Sequence, residues 1–264
     1  MKTARQGKIS YLQPEWTADC QVFAGFTTRH GGVSRGPFNS LNLGTNTHDI
    51  EAHVEANRTA VARAFNLPPH LLLTVKQVHG SGVLAVTEPN FDLSHFQKVE
   101  SDAIITNQSG LMAGILVADC YPVLLYDPEG PAVGVIHVGW KGAAAGLIGR
   151  TIQAMHELLD SRPAHLRAAI GPGIGGHKYE VDRPVREAFR EGSGQWERIS
   201  KETRLGHWLL DLKLSCLLQL EEAGIARQSI DIVEECTCCH KEKFFSYRRD
   251  HGRTGRQMGF VLLP

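Results

Sequence analysis

The sequence predicts an α/β protein of the α+β type, with mixed β-sheets flanked by helices. Three observations carry this expectation. Short apolar runs outnumber helical patterns. The two do not alternate regularly, which argues against a doubly wound sheet. Several runs are apolar on both faces, as strands are when helices cover their sheet. Strands are expected at 71–78, 82–86, 103–106, 113–118, 123–126, 132–138, 166–170, 230–234 and 258–263. Helices are expected at 51–65, 143–159, 184–190 and 210–223. Pro184 suits a first helical turn, where a missing amide proton costs nothing. Gly224 suits the residue just past a helix end, where the left-handed conformation is common. The loosest stretch, 191–195, is too short to separate domains, so one domain spanning 1–264 is expected.

Composition narrows the function classes. The 28 basic residues balance 28 acidic ones, so no general field draws the chain to nucleic acid or to an acidic membrane. No stretch approaches the roughly 18–20 apolar residues of a membrane span. The first 15 residues are polar and lack the apolar core of a secretory signal. Three of the six cysteines are scattered and three crowd near the end, unlike a disulfide framework, so a cytoplasmic location is expected. The 13 histidines raise the question of a metal.

Three places break their local pattern. In Ala118-Asp119-Cys120-Tyr121-Pro122, an acid and a thiol interrupt two apolar runs, and Pro122 is expected to break or bulge the strand. Cys120 is either a small buried hydrophobe or a chemical group, and Asp119 beside it needs a partner. In 135–142, His137 ends an apolar strand and Gly139 and Gly142 turn the chain towards a helix, a common setting for ligands. The alternative is a core histidine bonded to a backbone carbonyl. In 76–80, Lys76 and His79 end a third run. Together the three suggest convergence at one end of a sheet. The spacings 79–120 and 120–137 match no local zinc motif, so such a site exists only through the fold.

Helix 51–65 carries Asn57 and Arg58 where its apolar stripe of Val54, Val61 and Phe65 should continue. Inward polar groups are costly unless paired. Arg58 either snorkels past the edge or points into a pocket and holds an anion. Cys236-Thr237-Cys238-Cys239-His240 looks like half a zinc site, with no second close Cys/His pair to complete it. The glycine-rich 171–176 segment lacks phosphate-loop spacing and reads as a tight loop that lets backbone approach something closely.

An ordered series of motifs then carries a family resemblance across nearly the whole chain. They are Thr27-Thr28-Arg29-His30-Gly31-Gly32-Val33-Ser34, Asn39-Ser40-Leu41-Asn42-Leu43-Gly44, Gln77-Val78-His79-Gly80, Asp102-Ala103 and Ala118-Asp119-Cys120-Tyr121-Pro122-Val123. The series continues with His137-Val138-Gly139-Trp140-Lys141-Gly142, Ile170-Gly171-Pro172, Tyr179-Glu180-Val181 and 244–250. In these the chain resembles the laccase-domain, YfiH-like proteins, labelled multicopper polyphenol oxidases and also purine nucleoside phosphorylases. The resemblance implies a YfiH/CNF1-like architecture and one zinc held by His79, Cys120 and His137. It also implies phosphorolysis of adenosine, inosine, guanosine and methylthioadenosine, with accompanying adenosine deamination. Many members carry two cysteines where this sequence has His177 and Lys178, a departure that leaves the three metal positions intact.

The chemistry of these residues fits that expectation. Two histidines and a thiolate leave the fourth tetrahedral position of zinc open, as in catalytic sites. Asp119 is the acid nearest in sequence for moving a proton. Arg58, Lys76 and Arg248 are the candidates for the phosphate-facing side, and Asn42 for orientation. The same His₂Cys set also suits copper, but a multicopper oxidase needs many ligands in His-X-His pairs and none occurs here. A cysteine hydrolase with Cys120 as nucleophile and His137 or His79 as base, and a non-catalytic binding module, are the remaining alternatives. The partners expected are purine nucleosides and phosphate, with neither nucleic acid nor membrane.

Overall fold

In the computed structural model, which describes residues 1–88, 96 and 98–264, two six-stranded mixed sheets pack face to face between outer helices. The first sheet comprises β1 (Lys2–Gln6), β2 (Ile9–Gln13), β3 (Phe23–Thr27), β4 (Leu72–Leu73), β7 (Met112–Val117) and β15 (Gln257–Leu262), in the order β1-β2-β3-β15-β7-β4. The second comprises β5 (Val83–Val86), β6 (Ala103–Thr106), β8 (Tyr121–Asp127), β9 (Ala132–Val138), β10 (Arg167–Ile170) and β14 (Ile230–Ile232), in the order β14-β10-β8-β9-β6-β5. Each sheet mixes directions: β4 runs parallel to β7, and β5 to β6, among antiparallel neighbours. A third sheet of three strands joins β11 (Glu180–Asp182), β12 (Ser200–Arg204) and β13 (His207–Leu210).

The pleat explains why β8 and β9 are apolar throughout. Successive side chains point to opposite faces, and here both faces are covered. Leu124, Tyr126, Val133 and Val135 face the first sheet. Val123, Leu125, Ile136 and Val138 face the helices Leu147–Leu159 and Leu212–Glu222, where Ile152, Met155 and Leu220 cover them. The helices made wholly of described residues are α1 (Glu51–Ala64), α2 (Trp140–Ala144), α3 (Leu147–Leu159), α4 (Arg183–Glu191), α5 (Trp196–Ile199) and α6 (Leu212–Glu222). Helix α1 closes the outer face of the first sheet, packing Val61 and Ala62 near Met258, Phe260 and Leu262. Among the described residues, no helix is long and apolar enough to cross a membrane.

Several expectations are corrected. The run 71–78 forms strand only at β4, because the Gln77 side chain pairs with both backbone groups of Leu116 at 2.8 Å and takes the place of a ladder. Pro122 does not break its strand. It lies inside β8 opposite His137, one residue beyond the β10 ladder that ends at Val123, so no donor is needed from it there. The interruption falls at Ala118–Cys120, where the chain passes from the first sheet to the second. The helix expected over 143–159 is divided into α2 and α3 by Gly146, whose φ of 70° is left-handed. The strands β1–β3 and β11–β13 escape the sequence patterns, β1 and β12 being largely exposed and polar.

The inward Asn57 is fully paired. Its side chain accepts from Val33 N–H and donates to Ser34 Oγ and to the carbonyls of Ser40 and Asn42, tying α1 to the 33–42 loop. Gly171 serves close approach, as its segment suggested. A Cβ there would lie 2.4 Å from the Phe26 ring and 2.7 Å from Pro122 Cγ, where the two sheets meet. Gly171→Ala is therefore expected to overpack this junction and cost about 1–3 kcal/mol. A fall in the urea midpoint at unchanged slope reads that cost, and an unchanged midpoint would contradict the close packing.

Candidate metal centre

Two of the three pattern-breaking segments are crossings between sheets. His79 lies on the link from β4 to β5, and Cys120 on the link from β7 to β8. His137 is the penultimate residue of β9, paired with Pro122. The sandwich brings their ligand atoms within 4.8 Å of one another. His137 is buried, Cys120 half-buried and His79 exposed, so the cluster opens to solvent on one side. The imidazoles of His79 and His137 meet edge to face, with centroids 4.7 Å apart.

Asp102, immediately before β6, organises the cluster. Its fully buried carboxylate accepts from the backbone N–H groups of Val78 (3.3 Å), His79 (3.0 Å) and Gly80 (2.6 Å), and lies 2.7 Å from His137 Nδ1. These bonds hold the chain at His79, whose φ of 58° is left-handed, a region that histidine enters more readily than most residues. Burial works to raise the Asp102 pKa, but the bonds from His137, Gly80 and Val78 bring it below the usual range. With Nδ1 so engaged, His137 presents Nε2 to the cluster, the arrangement typical of metal-ligating histidines.

Burial also works against charge on Cys120 and His137, yet each sustains the other. The positive His137, with hydrogen bonds from both imidazoles, draws the Cys120 thiol down to about 6. The thiolate and Asp102 in turn hold His137 up at about 9. A cation fits this donor set. Zinc with bonds of roughly 2.0–2.3 Å needs ligand atoms about 3.3–3.8 Å apart, a short closure from the present arrangement. Gly139 lets backbone press close, since a Cβ there would lie 3.0 Å from His79 Cδ2 and 3.2 Å from Cys120 Sγ.

The other sequence candidates occupy varied places. Asp119 is buried; one carboxylate oxygen accepts from Thr237 Oγ1 and the other from Arg248 N. Arg248 is exposed, stacks over the Tyr179 ring at 5.0 Å and donates to Glu180 O. Asn42 is fully buried and spends its side chain on Gly44, Thr47, Asp49 and Arg256 N. Arg58 is half-buried, donates to Thr74 Oγ1 and Leu43 O, and is lowered by burial to about 10. Lys76 is exposed and ion-paired with Glu100 at 2.8 Å, a surface contact worth roughly 0–1 kcal/mol.

Three further residues belong to the site. Besides Asp102, these are Arg256 and Tyr179, both of which feel the charge of Cys120 and Asp119. The Arg256 guanidinium donates to the carbonyls of Thr254 and Gly255 and has no carboxylate partner among the described residues. The available signals were an acid opening the apolar strand 103–106 and an arginine abutting the apolar run 258–263. A cleft of about 810 Å³ opens elsewhere, lined by Arg29, His30, Lys241, Arg249 and Arg253 among others, and includes none of the three ligands.

The profile of the family described as multi-copper polyphenol oxidoreductase laccase matches residues 23–264. Purine nucleoside phosphorylase YlmD of Bacillus subtilis (strain 168) is 36% identical over 245 residues, covering 91% of this chain and 88% of that protein. A purine nucleoside phosphorylase of Deinococcus radiodurans is 39% identical over 240 residues, covering 90% and 88%. The crystal structure of Bacillus licheniformis hypothetical protein YfiH superposes with a TM-score of 0.90 at 36% identity, covering 97% of each chain.

Two outcomes test the centre. In metal-free protein, alkylation of Cys120 followed by peptide mass spectrometry should fall to half its plateau near pH 6, because the thiolate persists down to its lowered pKa. A midpoint in the ordinary thiol range would contradict the ion pair. Asp102→Asn removes the charge behind His137 and should weaken zinc about 10–100-fold in chelator competition; unchanged affinity would deny Asp102 its orienting role.

Proposed function

The chain belongs to the multi-copper polyphenol oxidoreductase laccase family, and from that premise we propose that it is a zinc-dependent purine nucleoside phosphorylase. Its substrates are adenosine, inosine, guanosine and methylthioadenosine with phosphate, and it also deaminates adenosine. The observation that carries this reading is a three-ligand centre whose Cys120 charge reaches Arg256, a guanidinium with no carboxylate partner among the described residues. Relatives named purine nucleoside phosphorylases, aligned over about nine-tenths of the chain, support it. The six free cysteines fit a reducing compartment such as the cytoplasm.

In phosphorolysis, a phosphate oxygen bonds to C1′ of the ribose as the C1′–N9 bond breaks. The bonding pair leaves with the purine, which then takes up a proton. The enzyme's task is to orient phosphate and steady the charge that develops on the base. Arg256 is placed for the anion, and its backbone N–H is held by Asn42. Asp119 positions Arg248 through its backbone, and Arg248 in turn covers Tyr179. Burial, Cys120 and Asp119 keep the Tyr179 phenol protonated, so it can donate to the departing purine. His79, Cys120 and His137 would hold the zinc, which would supply Lewis-acid polarisation when bound.

One observation favours a second reading. Cys120 Sγ and a His137 ring nitrogen lie within 4.8 Å of each other, and His137 Nδ1 lies 2.7 Å from Asp102, so thiol, imidazole and carboxylate stand in the order a cysteine hydrolase uses. Metal content separates the two, because a metal-bound thiolate is not free to attack.

The test is chromatography of adenosine incubated with metal-analysed protein, with and without phosphate. Adenine and ribose 1-phosphate should form only with phosphate and vanish in Cys120→Ala. Arg256→Ala should raise the KM for phosphate about 10–100-fold, the range of a lost hydrogen bond to a charged group. Inosine formed without phosphate reports the deaminase. Absence of every product from folded, zinc-loaded protein would overturn the nucleoside reading.

A further inference from the structure

The half-site in the tail finds its other half across the fold. Cys236 and Cys239 flank a tight turn in which the N–H groups of Cys239 and His240 both bond to Cys236 O. The turn is a Cys-x-x-Cys segment that brings its two thiols to one side. His177, on the 3₁₀ turn Gly176–Lys178, reaches over them, with Nε2 3.3 Å from Cys239 Sγ. The three ligand atoms lie within 4.8 Å of one another. Cys236 is buried and its sulfur accepts the Gly175 N–H at 3.0 Å. Gly175 is needed for the approach, because a Cβ there would lie 2.7 Å from His177 Cε1 and 3.3 Å from Cys236 Cβ.

We propose that His177, Cys236 and Cys239 form a second metal site, distinct from the His79–Cys120–His137 centre, which binds a thiophilic cation, Zn²⁺ or Cu⁺. Two thiolates and an imidazole are the donors such ions select, and their atoms, within 4.8 Å of one another, stand a short closure from the roughly 3.3–3.8 Å edge of a zinc tetrahedron. The neighbouring candidates are otherwise engaged: His240 Nδ1 bonds to Cys236 O, and Cys238 interacts with Ser246.

The cluster ties two segments that reach the first centre. Thr237, within the turn, donates its hydroxyl to Asp119 and its N–H to Gly173 O. A cation here fastens the 171–178 loop to the 236–240 turn, and thereby steadies Asp119 beside Cys120. The proposal does not depend on the nucleoside activity.

The test is metal stoichiometry of the full chain under reductant, loaded separately with Zn²⁺ and with Cu⁺ and desalted before elemental analysis. Wild type should retain two equivalents of at least one ion. His177→Ala and Cys239→Ser, both at exposed positions, should retain one, and His177→Cys should restore the second. His79→Ala should lose the other equivalent while keeping this one. Circular dichroism confirms that each variant is folded. After Co²⁺ substitution, thiolate-to-cobalt absorption should persist in Cys120→Ala and disappear when Cys239→Ser is added. One equivalent in wild type for both ions, the same number in His177→Ala as in wild type, or a Cys236–Cys239 disulfide in place of metal would each overturn the proposal.

Discussion

A single buried carboxylate, that of Asp102, is the constraint on which the centre depends. It satisfies three consecutive backbone donors around His79 and also orients His137. One side chain therefore fixes the positions of two of the three ligands. Leaving such buried donors unmet costs about 1–3 kcal/mol each, so the loop and the carboxylate stabilise one another. The negative charge of Asp102 adds to that of Cys120 in holding the His137 pKa up against its burial. Without these partners, burial would favour the neutral imidazole.

The sandwich sets the rest. Both loop-borne ligands sit on connections that leave the first sheet and enter the second. Their positions are thus determined by the packing of Phe26, Ile115, Leu124 and Val135 between the sheets, more than by local turns. The third ligand is borne by β9, which is buried on both faces. Arg256 stands just before β15, the strand between β3 and β7, so the cationic side of the site is anchored in the same core.

Much of this was legible in the sequence because burial leaves a pattern. Runs covered on both faces are apolar throughout, and 103–106 and 132–138 coincide with β6 and β9. Cys120 and His137 stood out as polar breaks in such runs. Asp102 did not, because an acid before a strand looks like an ordinary loop residue until its donors are seen. Asn42 read as a substrate-orienting group, and only tertiary bonding reveals that its amide holds Arg256. Lys76 resembled an anion ligand, yet its partner, Glu100, lies across a parallel bridge that no local pattern announces. Strands β1 and β12 were invisible because edge strands facing water need no apolar alternation. His177 and the 236–239 turn are far apart in sequence, so their meeting is purely a product of the fold.

The route of the chain through the two crossings bears on how such a protein can diversify. The ligand positions are bound up with the seam between the sheets, where a change of one side chain disturbs many neighbours. Strands β1 and β12, by contrast, are largely exposed and lie at sheet edges. Substitutions there leave the seam untouched. Descendants of this chain can therefore drift along these outer strands while inheriting the inner chemistry unchanged.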